Sequence, residues 1–225
     1  MRTRLSERVL PNYSRGEEIF NMVSHIVGAV FGFVALISCV TVAALNQNIP
    51  GIASGAVYGM LMIVLFTTSS IYHGLLSEIP KKVFQVIDHC SVFLLIAGTY
   101  TPLTMCKMRV EHPAAAWSVF GVVWGFTVLG IVLNAIDLKQ FRIFSMICYL
   151  ATGWSIIVTI KPLLDVLETN GVILLFAGGF FYTLGAVLYN IGKKKKFFHS
   201  VFHVFVVAGC ILQYLCIVLY VLPYN

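Results

Sequence analysis

Long uninterrupted runs of apolar residues, separated by short polar segments, dominate the chain. The seven runs are Asn21–Leu45, Ile52–Leu76, Phe84–Met105, Ala114–Asn134, Phe141–Ile160, Val172–Ile191 and His199–Leu222. Each is close to the ~20 residues that a helix needs to cross a bilayer. The runs lack the alternation of a membrane β-barrel strand, whereas a helix satisfies its own backbone hydrogen bonds in lipid. The pattern therefore predicts an all-α polytopic membrane protein, a bundle of seven transmembrane helices.

Composition narrows the class of protein further. Of the 225 residues, 59% are hydrophobic and 11% are charged, whereas a soluble domain carries about 25% charged residues. An ordinary soluble enzyme, a nucleic-acid-binding domain and a disordered chain are thereby excluded. The six cysteines lie in or at the ends of apolar runs, without a C-x-x-C pair. We expect them to be small buried apolar residues rather than disulfides or metal ligands.

Lysine and arginine residues are distributed unevenly between the two sides of the predicted bundle. Twelve lie in the N-terminal tail and in every second loop, including the run Lys193–Lys196. The other three are Lys107, Arg109 and Lys161. The positive-inside rule then places the N-terminus in the cytosol and the C-terminus outside. We expect a short basic cytosolic tail, residues 1–20, followed by a seven-helix transmembrane domain, residues 21–225, in the cytoplasmic membrane.

A capping pattern precedes the first apolar run. The sequence Ser14-Arg-Gly-Glu17, followed by Glu18, is typical of a helix N-terminus. It predicts that the first helix begins just outside the bilayer.

Ionisable side chains inside the predicted spans are few and fall at one depth. At a rise of ~1.5 Å per residue, all lie within about 10 Å of the cytosolic boundary. They are His25, His73, Asp88, His89, His199 and His203. Because such residues are costly in lipid, they are typical of a functional site.

His199 and His203 are four residues apart and therefore project from one helix face. This spacing suits a shared Zn²⁺ ion, although alone it favours a structural role. His73, at the same depth, changes that balance. It would complete a set of three histidines and leave a fourth position for water, as catalytic zinc sites require.

Two polar residues accompany the histidines. Ser69, one turn from His73, either contacts a water or substrate carbonyl or bonds back to its own helix. Asp88 is the acidic residue well inside a span. It either accepts a proton from zinc-bound water or pairs with Lys81 or Lys82 at the boundary.

The remaining polar residues of this layer have plainer interpretations. His89 points about 100° away from Asp88 on its helix and is expected to make a helix–helix contact. His25, with Asn21 one turn before it, is expected to be a structural residue that makes hydrogen bonds rather than a fourth metal ligand. Tyr72 and Tyr189 either line a polar cavity or anchor the chain at the interface.

Four segments containing these residues resemble the hemolysin III family of bacterial membrane proteins. That family belongs to the progestin and adiponectin receptor (PAQR) superfamily, to which alkaline ceramidases are more distantly similar. The segments are EEIFNMVSH (Glu17–His25), SSIYHG (Ser69–Gly74), DHCSVFLLIAGTYTPL (Asp88–Leu103) and FHSVFHVFV (Phe198–Val206). They occur in the family's order, and the resemblance covers essentially the whole chain.

The resemblance implies seven helices with a cytosolic N-terminus in a bacterial inner membrane. It also implies one zinc ion held by His73, His199 and His203. Asp88 corresponds to the aspartate that hydrogen-bonds the zinc-bound water, and Ser69 to the motif serine. The chain lacks the long cytosolic N-terminal domain of the animal receptors, so no defined protein partner is expected. Nucleic acid is not expected as a partner either, because the composition excludes that class.

These observations lead to a first hypothesis of a zinc-dependent hydrolase that acts on a lipid amide or ester in membrane lipid homeostasis. Asp88 would accept the proton, and Ser69 would help to stabilise the oxyanion. A membrane lipid would be the substrate or ligand. A second hypothesis is a non-enzymatic receptor or membrane-state sensor with structural zinc. A pore-forming cytolysin is less consistent with the sequence, because helices 4 to 6 carry no charge at mid-membrane.

Overall fold

A computed structural model describes residues 5–191 and 195–223, and within these ranges the regular structure is entirely helical. Its seven long helices are apolar enough to cross a membrane, which confirms the predicted fold class. They are α1 (Arg15–Leu45), α2 (Ile49–Gly74), α3 (Glu78–Glu111), α4 (Pro113–Asp137), α5 (Arg142–Val166), α6 (Thr169–Ile191) and α7 (Phe198–Val221). Four residues that contributed to the charge asymmetry lie outside the described residues: Arg2, Arg4, Lys193 and Lys194.

The first helix begins before its apolar run, at Arg15, because a capping box fixes its start. The Ser14 side chain accepts a hydrogen bond from the Glu17 amide, and the Glu17 carboxylate accepts one from the Ser14 amide at 2.9 Å. These bonds satisfy amide groups that a helix end leaves without partners. The added turns bring residues 15–20 into α1, ahead of the apolar run that starts at Asn21, as the capping pattern predicts.

Helix α5 is interrupted, which the apolar pattern did not predict. An α-helical segment, Arg142–Gly153, is followed by a 3₁₀ segment, Ser155–Thr159, and a last helical segment. Tyr100 of α3 bridges the break: its hydroxyl donates to the Gly153 carbonyl at 2.8 Å and accepts from the Ile156 amide at 3.1 Å. The tyrosine thus satisfies backbone groups that the interruption releases in an apolar environment.

Helices α1 and α2 pack closely along their length. A Cβ atom added to Gly59 would lie 2.5 Å from the Leu36 Cα atom, so only glycine permits this approach. On the outside of the bundle, large apolar side chains such as Val30 and Ile37 remain exposed, as a lipid-facing surface requires. All six cysteines are buried free thiols, as predicted.

One end of the bundle carries the starts of α1, α3, α5 and α7 and the ends of α2, α4 and α6. We call this end the N-terminal side. The segment before α1 lies against it, where the buried Arg8 guanidinium donates to the Ile136 carbonyl of α4 at 3.3 Å. The orientation of this side in a membrane and the division at residue 20 stay predictions.

Candidate metal centre

Three histidine rings converge at the N-terminal side of the bundle. His73 comes from the last turn of α2, and His199 and His203 come from the first two turns of α7. The Nε2 atom of His199 lies 3.4 Å from that of His73 and 3.0 Å from that of His203. One ligand atom from each residue falls within 4.8 Å of the other two. The structure therefore brings together the three residues that sequence analysis proposed as ligands.

The donor set suits a metal ion of the zinc type. A tetrahedral zinc ion with nitrogen ligands at 2.0–2.1 Å separates neighbouring donors by about 3.4 Å. The two separations from His199 Nε2, 3.4 and 3.0 Å, are similar, and His73 and His203 are almost completely buried. Three imidazole nitrogens and no sulfur fit zinc, copper or nickel better than calcium or magnesium, which prefer oxygen.

The Glu18 carboxylate contacts one of the candidate ligands, His73, through the ring nitrogen that does not face the other histidines. Its Oε2 atom lies 2.6 Å from His73 Nδ1, and its Oε1 atom lies 2.8 Å from Lys81 Nζ. Metal-binding histidines commonly donate their second ring nitrogen to a carboxylate in this way. Sequence analysis noted Glu18 only as the residue that follows the capping pattern and missed this role. The signal was its place in the segment Glu17–His25.

The start of α7 is held by the start of α1. Phe197, immediately before α7, has a left-handed backbone with φ 64°, which is unusual for a bulky residue. Its amide donates to Glu17 Oε1 at 2.7 Å. The Glu17 carboxylate is buried and serves both this bond and the capping box. The two bonds fix the entry of the chain into the turn that carries His199.

Asp88 and Ser69 lie next to the histidine cluster without belonging to the converging donors. The Asp88 carboxylate interacts with the Ser69 hydroxyl and with His73. Among the described residues, no ion pair joins Asp88 to either boundary lysine. Lys81 binds Glu18, and Lys82 binds Glu78 at 2.6 Å.

His89 lies apart from the converging donors. Its Nδ1 atom is 2.8 Å from the Gln85 carbonyl of its own helix. A direct ion pair with its neighbour Asp88 is stretched, at 3.9 Å. The structure thus does not bring His89 into the cluster, and the helix–helix contact expected of its side chain stays a prediction.

His25 is buried beside the cluster. Its ring centroid lies 3.8 Å from that of His203 and 5.0 Å from that of Phe66. Neither of its ring nitrogens has a hydrogen-bond partner at standard distance and angle within the described chain, although the His203 backbone lies nearby. The Asn21 amide and the Ser200 hydroxyl are likewise buried without partners there. His25 is therefore outside the set of three donors, and its role as a structural residue that makes hydrogen bonds stays a prediction.

Aromatic rings surround the cluster. Tyr13, which precedes α1, stacks on His199 with centroids 4.8 Å apart and an interplanar angle of 8°. Tyr72 and Tyr189 also lie against the histidines, at 4.5 Å from His73 and 5.3 Å from His199. Burial, followed by the nearby tyrosines and acids, raises the pKa of the Tyr13 hydroxyl. The Tyr13 hydroxyl therefore stays protonated and uncharged, and the ring covers the histidine cluster on the side of His199.

The fold and the cluster together define a multi-pass membrane protein with a buried three-histidine site on one side. A profile of the family described as "Haemolysin-III related" matches residues 13–214. The chain belongs to this family, and with its seven apolar helices it is a multi-pass protein of the bacterial inner membrane.

Individual relatives agree with this assignment. "Hemolysin-3" of Bacillus cereus is 34% identical over 207 residues, which cover 92% of this chain and 93% of the relative. "Hemolysin-3 homolog" of Bacillus subtilis (strain 168) is 32% identical over 204 residues, covering 91% and 94%. The human "Monocyte to macrophage differentiation factor" is 23% identical over 171 residues, covering 72% and 67%. No solved structure is significantly similar.

Proposed function

We propose that this protein is a zinc-dependent hydrolase that cleaves an amide or ester bond of a membrane lipid and so takes part in membrane lipid homeostasis. The observation that carries the proposal is the convergence of three histidine Nε2 atoms beside a carboxylate and a hydroxyl, inside a lipid-facing bundle. A lipid carbonyl is the polar reactive group that such a setting supplies.

The number of ligands favours a catalytic site over a structural one. Structural zinc sites are normally closed by four protein ligands, whereas catalytic sites use three and leave one position open. Among the described residues the converging set has three members. Bound zinc would lower the pKa of a coordinated water to about 7 and polarise a carbonyl. His73, His199 and His203 would hold it.

Asp88 and Ser69 would supply the proton chemistry. Asp88 would act as the general base that takes a proton from the attacking water and returns it to the leaving group. The Ser69 hydroxyl, in reach of Asp88, would hold the carboxylate in place. The oxyanion role expected for Ser69 from sequence is an alternative that stays a prediction.

Metal content is the first test. Full-length protein purified in detergent should carry about one zinc ion per chain, and His203→Ala should lose most of it because one of three ligands is gone. His112→Ala is the matched control, since His112 pairs with Asp165 outside the cluster. Equal zinc in wild type and His203→Ala would contradict the site.

Lipid turnover is the second test. Zinc-loaded wild type should release fatty acid from ceramide or phospholipid in mixed micelles, and Asp88→Asn should reduce the rate roughly 100-fold or more. Zinc binding without turnover by wild type would favour a receptor or sensor. Ion flux through zinc-loaded protein in vesicles would instead support the cytolytic activity that the relatives' names suggest.

A further inference from the structure

Glu18 and His73 join the first two helices through a contact that is short and directional. The residues are 55 positions apart in the chain, and their side chains meet at 2.6 Å. The His73 side chain is fully buried, while that of Glu18 is 18% exposed. Glu18 contacts the Nδ1 atom of His73, whereas the Nε2 atom of the same ring lies 3.4 Å from His199 Nε2.

The chemistry of the pair determines which nitrogen of His73 carries the proton. A carboxylate has acceptors only, so the hydrogen between it and Nδ1 must come from the ring. A neutral imidazole has one proton, and the Nε2 atom is then left with a free lone pair. This is the atom directed at His199 and His203, and it is the form that binds a metal.

Lys81 binds the second oxygen of the Glu18 carboxylate. Its ammonium group donates to Glu18 Oε1 at 2.8 Å and to the Leu75 carbonyl at 3.1 Å. Its exposed fraction is small, and the ammonium group lies 5.4 Å from the centre of the Tyr72 ring. Glu18 is therefore placed between two donors, and both of its oxygens must accept.

We propose that Glu18 is a positioning residue that fixes His73 in the metal-binding tautomer, and that Lys81 makes a carboxylate, rather than an amide, obligatory at position 18. The inference rests on the proposed metal site. A glutamine at this position would offer one acceptor and one donor to two donors. Its carbonyl would turn to the charged Lys81, and its NH₂ group would then donate to His73 Nδ1. The ring proton would move to Nε2 and block metal binding.

The test compares zinc affinities of full-length protein in detergent, by competition with a chelating dye. Glu18→Gln should bind zinc roughly 10- to 100-fold more weakly than wild type. Lys81→Met should restore affinity to within a few-fold in the double variant, because the amide carbonyl is then free to face His73. Glu78→Gln is the matched control, since it removes an exposed acid on the same side.

Restoration by a second substitution also separates positioning from misfolding, because a damaged fold would not regain affinity when Lys81 is removed. Unchanged affinity in Glu18→Gln would overturn the proposal. So would a double variant as weak as the single one.

A readout without metal keeps this inference separate from the proposed function. In metal-free protein labelled with ¹⁵N-histidine, the His73 signals, assigned by their loss in His73→Asn, should show a protonated Nδ1. In Glu18→Gln they should show a protonated Nε2. If wild type binds no zinc, the proposed function fails. If the wild-type proton is on Nε2, the tautomer argument fails, whatever the zinc content.

Discussion

At the scale of single residues, the three histidines of the cluster are held in different ways. His73 donates to Glu18, His199 is covered by the stacked ring of Tyr13, and His203 packs against His25. The convergence of the three histidines was predictable, because an i, i+4 pair and a third histidine share one depth. Glu18 and Tyr13 were not, since their roles depend on contacts between helices far apart in the chain.

Tyr13 should control how readily a metal leaves the site. Removing an aromatic stack costs about 0.5–1.5 kcal/mol, so Tyr13→Ala should lose zinc to excess chelator roughly twofold to tenfold faster than wild type. Tyr13→Phe keeps the ring and should behave like wild type. A loss rate in Tyr13→Ala that equals the wild-type rate would show that the stacked ring does not retain the metal.

At the scale of helices, the start of α1 acts as a support for the start of α7. The capping pattern Ser14 to Glu17 was visible in the sequence and correctly indicated a helix start. The second function of Glu17, accepting the Phe197 amide, was not visible, because no local pattern reports the left-handed backbone at Phe197. The break in α5 was hidden for a similar reason. Its compensating partner, Tyr100, belongs to another helix.

Glu17 should therefore matter for stability as well as for the site. Glu17→Ala removes a capping interaction, which costs about 0.5–2 kcal/mol, and leaves the Phe197 amide unpaired, at about 1–3 kcal/mol. Thermal unfolding in detergent should occur several degrees lower than in wild type. Glu17→Gln retains acceptor capacity and should lie between the two. A melting temperature of Glu17→Ala equal to that of wild type would contradict this link.

At the scale of the whole molecule, the count of seven spans followed from the continuity of the apolar runs, which lipid demands of every helix. The relative positions of the helices did not follow from that continuity. They depend on close contacts such as Gly59 against Leu36, and a small axial shift there would separate Glu18 from His73. The orientation in the membrane was inferred from twelve lysine and arginine residues on one side of the bundle and three on the other. It stays a prediction.

The central claim is that three histidines of two helices hold one zinc ion with an open position. X-ray absorption at the zinc edge of purified protein measures this directly. We expect three nitrogen ligands and one further light atom, with Zn–N distances of about 2.0–2.1 Å, and the loss of one nitrogen shell member in His203→Ala. Sulfur ligands at about 2.3 Å, or a spectrum that is the same in His203→Ala, would contradict the claim.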